Sequence, residues 1–317
     1  MGKYQFTVRG NQTYLNDKPF LVRGLRCSNG LYSEQVTSDL VNNLKVYAEH
    51  GLNTVSVFFM GNRYGNVKGY RQDASIDPVY AVRMEKIIRA ADALGMVVLV
   101  GCLYWEESQA KWTNWTQREA NLAAANTGAW LKEKDFHNVF IDVDNEGMAR
   151  ARAGFDTREL ILAAKSSGVT CPVASNYLGP APDEADLCIH FSHFRKDKPY
   201  IETEGVPENA PGAYWNRFSK EDSKVCNYGT SDYQNYINIG LYTPEMKEDQ
   251  IKRSNAHFDR GDGYMLASTW LQAAAPYGPN HHPGGDGSFG SEWGPGKPGI
   301  AWWLEYTKKR FGPYTGS

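Results

Sequence analysis

Two glutamates at the ends of β-rich runs are the side chains in this sequence best placed to do chemistry. Residues 139–148 read Val-Phe-Ile-Asp-Val-Asp-Asn-Glu-Gly-Met and end their apolar stretch at Asn145-Glu146. Residues 198–205 read Lys-Pro-Tyr-Ile-Glu-Thr-Glu-Gly, so a second strand also ends in a carboxylate. Two strands that each carry a glutamate to one end of a parallel sheet supply what cleavage of a glycosidic bond needs, a proton donor and a nucleophile facing each other across a sugar. Retention of configuration would place the two carboxyl groups about 5–5.5 Å apart. Glu146 fits the acid, provided that burial or a nearby anion holds its proton near neutral pH, and both Asp144 and Glu204 could be that anion. Glu202 and Glu204 share a face because strand side chains repeat every two residues. Glu204, at the mouth side directly before Gly205, is the expected nucleophile. Glu202 is expected to pair with a basic group deeper in the fold, Arg23 or Arg26.

These residues need a scaffold that brings strand ends together, and the pattern of elements supplies one. The first twenty residues read as a short β-hairpin with a turn at Asn16-Asp17-Lys18-Pro19, placed to cover the bottom of the main fold. Strand-like runs then occur at 21–26, 54–59, 97–103, 139–144, 172–176, 187–191, 200–203 and 264–270. Several are near-continuous apolar stretches, as strands buried on both faces should be. Helical periodicity separates them at 35–50, 78–94, 117–132 and 156–167. Gly51, Gly95 and Gly168 close the first, second and fourth of these, and Asp77-Pro78 opens the second as N-cap and first-turn proline. Two more helices are expected at 244–258 and 299–310, while the connections after the fifth and sixth strands look too short for full helices. Eight βα-like units predict a single (β/α)8 TIM barrel domain over residues 1–317, with irregular later crossovers. Residues 205–243 and 273–298 follow the seventh and eighth strands as long loops rich in Gly, Pro, Asn and Tyr. Loops of that length are usually functional or disordered, and in a barrel they would wall the face where active sites sit.

Bulk composition removes other classes. The 34 Lys+Arg nearly balance the 36 Asp+Glu, and no basic run appears, which argues against a nucleic-acid partner. No stretch approaches the roughly 20 apolar residues of a membrane span. The amino terminus lacks an apolar signal-peptide core. Compartment stays open: secreted or periplasmic if a signal peptide has been removed, cytoplasmic otherwise. Cysteines 27, 102, 171, 188 and 226 form no C-x-x-C pair and read as small buried hydrophobes. His281-His282 has the wrong spacing for a metal site, and the glycine-rich tracts at 284–287 and 294–296 lack the setting of a phosphate loop, so neither a catalytic metal nor another cofactor is expected.

The same residues carry a resemblance. The chain resembles the clan A retaining glycoside hydrolases, the superfamily of (β/α)8 enzymes that includes cellulase-like and β-galactosidase-like families. Phe6 followed by Tyr14-Leu15-Asn16-Asp17-Lys18-Pro19-Phe20 and Arg23-Gly24 is similar to their opening motif. Asn145-Glu146 matches the acid/base signature of the fourth strand. Lys198-Pro199-Tyr200-Ile201-Glu202-Thr203-Glu204-Gly205 resembles the nucleophile strand and puts the nucleophile at Glu204, five residues after Pro199. Trp270 falls where the clan often places a Trp beneath the sugar. The resemblance implies a retaining β-glycosidase active in polysaccharide degradation, with Asn145 bonding the sugar 2-hydroxyl unless it is a plain turn residue. Two departures stand out. Ser192 replaces the usual Tyr two residues after His190, leaving His190 as either a sugar or nucleophile ligand or a structural histidine. Ser56 stands where cellulase-like members carry an Arg, which Arg26 could replace.

Aromatic content of 13%, with nine Trp and nineteen Tyr, exceeds what a core of this size needs, so some rings are expected to serve as platforms for sugar faces. Trp270, Trp105, Trp215 and Trp293 all fall on the expected active face, Trp293 with the alternative of anchoring its own loop. The reading from another class is a non-catalytic carbohydrate-binding barrel, which would keep the aromatic cleft but lack one carboxylate. Sugar and linkage, endo or exo action and oligomeric state are not encoded in any of these motifs.

Overall fold

The computed structural model describes residues 2–61, 67–105, 110–204, 244–267 and 300–316. Eight strands, Arg23–Arg26, Thr54–Phe58, Val97–Leu103, Val139–Asp144, Val173–Ser175, Leu187–Ile189, Tyr200–Glu202 and Gly263–Leu266, form a closed barrel, and they are numbered one to eight below. Every neighbouring pair is parallel, from Arg26 opposite Ser56 between the first two strands to Tyr264 opposite Arg23 where the eighth meets the first. This is the (β/α)8 architecture expected. The third strand, Val-Val-Leu-Val-Gly-Cys-Leu, is buried along its whole length, which is why its sequence shows no alternation of apolar and polar residues. Cys27, Cys102, Cys171 and Cys188 are buried free thiols, and Cys226 lies outside the described residues.

Helices Glu34–Glu49, Pro78–Ala93, Gln117–Glu133 and Thr157–Ser166 run between strands, the second from the Asp77-Pro78 cap expected from the sequence. Ser33, Asp77 and Asp156 accept first-turn N–H groups, and Thr116 forms a reciprocal capping box with Glu119. Pro244–Arg260 and Ala301–Phe311 flank the eighth strand. The crossovers after strands five and six carry no helix; Gly179–Pro180 pairs there with Ser192–His193.

The amino-terminal segment is a three-stranded meander, one strand more than a hairpin. Phe6–Arg9 pairs with Gln12–Leu15, which pairs in turn with Lys18–Pro19. Asn16 and Asp17 both take positive φ, 47° and 64°, so the turn needs only these two residues and frees Lys18 to pair. The Phe6 N–H donates to the His137 carbonyl at 2.8 Å, and its ring lies 5.3 Å from Phe140 and edge-on to Phe20. These contacts sit at the amino end of the fourth strand. The meander therefore closes the end of the barrel opposite Glu146.

Candidate active site

The fourth strand ends at Asp144, and the chain turns sharply through Asn145–Gly147 into a short helix, Met148–Ala153, absent from the predicted elements. Glu146 sits in the turn with φ 54° and ψ 15°, a left-handed conformation that costs a non-glycine residue of order 1–3 kcal/mol. The surroundings hold it there. Gly147 is also left-handed, and a Cβ on it would come within 2.5 Å of the Tyr177 Cβ. The Asp144 carboxyl accepts the N–H groups of Ala149 and Arg150 at 2.8 and 3.1 Å, tying the turn to the short helix. Burial pushes the Asp144 carboxyl up to about 8. Its oxygens are used at the helix start, so Asp144 is not the anion that acts on Glu146.

That anion is Glu204, just beyond the seventh strand. Carboxylate oxygens of Glu146 and Glu204 and one ring nitrogen of His190 all lie within 4.8 Å of one another. The Glu146 carboxyl is raised well above the usual range, first by burial, then by the charge of Glu204 and a hydrogen bond to it; the charges of His190 and Arg26 oppose the rise. Arg26, from the end of the first strand, is fully buried with one guanidinium nitrogen 3.1 Å from Glu204 Oε1. Its Nη2 donates to Asn145 Oδ1 at 2.8 Å. One planar cation thus orients both the Glu204 carboxylate just beyond the seventh strand and the amide beside Glu146. The guanidinium packs against the rings of Phe58 and Tyr104, at 5.0 and 5.7 Å. Gly101 makes room for this stack, since a Cβ there would lie 1.9 Å from the Phe58 ring. Asn145 is fully buried, and its Nδ2 meets no acceptor among the described residues.

Glu202 departs from expectation. It is fully buried and pairs with His190, whose Nδ1 lies 2.6 Å from Glu202 Oε1, rather than with an arginine. The Glu204 N–H donates to the same oxygen at 2.8 Å, and the Tyr200 hydroxyl lies 3.3 Å from Oε2. Arg23 lies over the rings of Phe311 and Tyr314 instead. The side chain is enclosed by His190, Tyr200 and the Glu204 main chain, so it lies behind the site and not on its surface. His190 is held at φ 45° and stacks on Phe191 at 4.2 Å. Burial alone would lower its pKa, but Glu202 and Glu204, the hydrogen bond to Glu202 and the charge of Glu146 together raise it to about 9.

Trp105 follows the third strand on the expected face, but its indole is buried, 6.0 Å from Trp115 and edge-on to Phe155 at 5.2 Å. It is a packing residue, not an open platform. Trp215, Trp270 and Trp293 lie outside the described residues. Asp142 was not among the side chains expected at the site. Its buried carboxyl, raised to about 6 by burial, accepts from Asn176 Nδ2 at 2.8 Å and contributes to the field at Arg26. The only signal for it in the sequence is its place two residues before Asp144 on the same strand. Among the described residues, Glu146, His190 and Glu204 are also the one group whose donor atoms converge closely enough for a metal ion, but the Arg26 guanidinium 3.1 Å from Glu204 already places one positive charge there.

No protein-family model matches the sequence, and no curated protein matches it. Solved structures do match in shape. A glycoside hydrolase superposes with a TM-score of 0.56 at 13% identity, over 98% of this chain and 74% of its own. A family 5 glycoside hydrolase from Bacteroides vulgatus ATCC 8482 gives 0.57 at 13% identity, over 98% and 71%. An exo-β-1,4-mannosidase from Opitutaceae bacterium strain TAV5 gives 0.55 at 13% identity, over 92% and 60%. In fold, then, the chain is a (β/α)8 barrel of the kind these glycoside hydrolases share.

Proposed function

We propose that the protein is a retaining β-glycoside hydrolase of oligo- or polysaccharides, with Glu146 as acid/base and Glu204 as nucleophile. The observation that carries this reading is the closeness of the two carboxyl groups, within 4.8 Å between oxygens, on strand ends of one barrel mouth. An inverting enzyme would hold its carboxyls about 6.5–9.5 Å apart to admit a water between them. The fold of the structural neighbours agrees with the reading.

In this scheme Glu146 protonates the glycosidic oxygen while Glu204 attacks the anomeric carbon to form a glycosyl ester. Arg26 orients the attacking carboxylate. Asn145, its Oδ1 fixed by Arg26, turns its buried Nδ2 toward the sugar and donates to the 2-hydroxyl. Ester formation removes the charge of Glu204, one of the causes that keep Glu146 protonated. Glu146 then becomes the better base and takes a proton from the water that hydrolyses the ester.

The test is a screen of β-glycans and aryl β-glycosides followed by variants. Glu204→Gln should abolish turnover. Glu146→Ala should retain activity on good leaving groups, and added azide should accelerate it and yield the β-glycosyl azide. Binding of glycans without turnover would favour the non-catalytic barrel, and an α-configured first product would exclude retention of a β-linkage.

A further inference from the structure

We infer that Glu202 is a positioning residue for the nucleophile, which from a closed seat two residues upstream anchors the backbone of Glu204 and holds His190 as a fixed cation against the Glu146 and Glu204 carboxyls. The inference rests on the reading of Glu204 as nucleophile. Glu202 Oε1 is shared between His190 Nδ1 at 2.6 Å and the Glu204 N–H at 2.8 Å, so one carboxylate oxygen fixes both the ring and the main chain that carries the attacking group. Tyr200 closes the arrangement: its hydroxyl donates to the His190 carbonyl at 2.6 Å and stands 3.3 Å from Glu202 Oε2. With that carbonyl held, the left-handed backbone of His190 is locked, and the Phe191 ring stacks on the imidazole.

The charged and titratable groups facing His190 are Glu202 and Tyr200 from the seventh strand, Glu204 just beyond it and Glu146 from the turn after the fourth. Arg26 also reaches this carboxyl pair, with a guanidinium nitrogen 3.1 Å from Glu204 Oε1. Two cations therefore stand by two catalytic carboxyls, and the charge of one cation depends on a carboxylate that lies behind the site. A carboxylate hydrogen-bonded to Nδ1 in a closed site favours the doubly protonated ring. Glu202→Gln removes that charge, and burial then drives the ring neutral. With the cation gone, both carboxyls become harder to ionise, so both limbs of the kcat/KM profile should move to higher pH. A unit charge within 4.8 Å is strong enough for a move of about one to two pH units at the effective dielectric of a buried site. A merely structural Glu202 would lower the rate at every pH and leave the limbs in place.

The experiment pairs pH profiles on an aryl β-glycoside with 15N spectra of the histidine side chains, for the wild type, Glu202→Gln, His190→Gln and the double variant. The His190 signal is identified among seven histidines by its loss in His190→Gln. Expected are a doubly protonated His190 through pH 8 in the wild type and a neutral one at pH 7 in folded Glu202→Gln. Both rate limbs should be shifted upward in Glu202→Gln, and the double variant should be little worse than either single one. A neutral His190 in the wild type at pH 7 overturns the inference, and so do unmoved limbs in folded Glu202→Gln. Should Glu202→Gln not fold, the wild-type spectra alone decide. Absence of any wild-type hydrolysis would sink the hydrolase reading, while the spectra would still answer for Glu202.

Discussion

Arg26 offers the sharpest test of how the site is held, because its neighbour in the sheet suggests how to move it. The guanidinium binds Glu204 at 3.1 Å and Asn145 at 2.8 Å from a fully buried position. Arg26→Ser removes both contacts and the charge. Breaking a buried ion pair by deleting one partner costs about 3–5 kcal/mol, part of it in folding. If about 3–4 kcal/mol of this is felt at the transition state, kcat/KM falls by a factor of order 10²–10³. The loss should lie mainly in kcat, because Arg26 touches Glu204, the proposed nucleophile. Ser56 is the register partner of Arg26 on the second strand, and it is buried with its hydroxyl unpartnered among the described residues. Neighbouring strands lie about 4.8 Å apart, well within the reach of an arginine side chain. The exchange Arg26→Ser with Ser56→Arg should therefore return a guanidinium to Glu204 and recover at least about tenfold of the lost kcat/KM, roughly 1.4 kcal/mol. Kinetics on one aryl glycoside, with circular dichroism to confirm folding, measure both steps. Folded Arg26→Ser within threefold of wild type would refute the role of the cation, and an exchange variant no better than Arg26→Ser would refute the argument from register.

Three further outcomes are expected. Trp105→Ala should destabilise the fold by about 3–5 kcal/mol in urea unfolding, as for a buried aromatic, and leave KM for long and short oligosaccharides in the same ratio; a KM that worsens with chain length would restore its reading as a platform. Gly101→Ala should cost about 1–3 kcal/mol by forcing the Phe58 ring aside and should lower kcat, because Phe58 supports Arg26; unchanged kcat would uncouple the two. Asp144 has a higher pKa folded, about 8, than unfolded, about 3.9, so the stability it contributes is complete at low pH and lost as pH rises toward 8. Asp144→Asn should then lose less Tm than the wild type between pH 5 and 8, and an equal loss would count against a protonated Asp144.

The barrel was legible because its signals are local. Runs such as Val97–Leu103 announce strands buried on both faces, and Asp77-Pro78 announces a helix start, without knowledge of the rest of the chain. The misses are equally local. The third meander strand hangs on the two-residue turn Asn16-Asp17, where one choice of turn length decides whether Lys18 pairs or loops. The helix Met148–Ala153 has only six residues, too few to display a period, and begins at a left-handed glycine with no side-chain cap.

In the site, strand ends could be read but partners could not. That Glu146 and Glu204 share a mouth follows from strand order, since parallel strands of a closed barrel carry all their carboxyl ends to one face. Which group pairs with which depends on depth and direction inside the barrel, and no spacing along the chain encodes those. Glu202 was expected to find an arginine because buried carboxylates need cations, and that premise holds. The error lay in counting only permanent cations. His190, one strand away in the sheet, has its pKa raised by Glu202 among other carboxylates, so the ring can serve as the partner that a permanent cation was expected to be. Arg23 and Arg26 lie three residues apart at opposite ends of one strand, and the same logic separates them. Arg26 reaches Glu204 at the mouth, while Arg23 is spent on Phe311 and Tyr314, which places it with the packing of the barrel and away from the two glutamates.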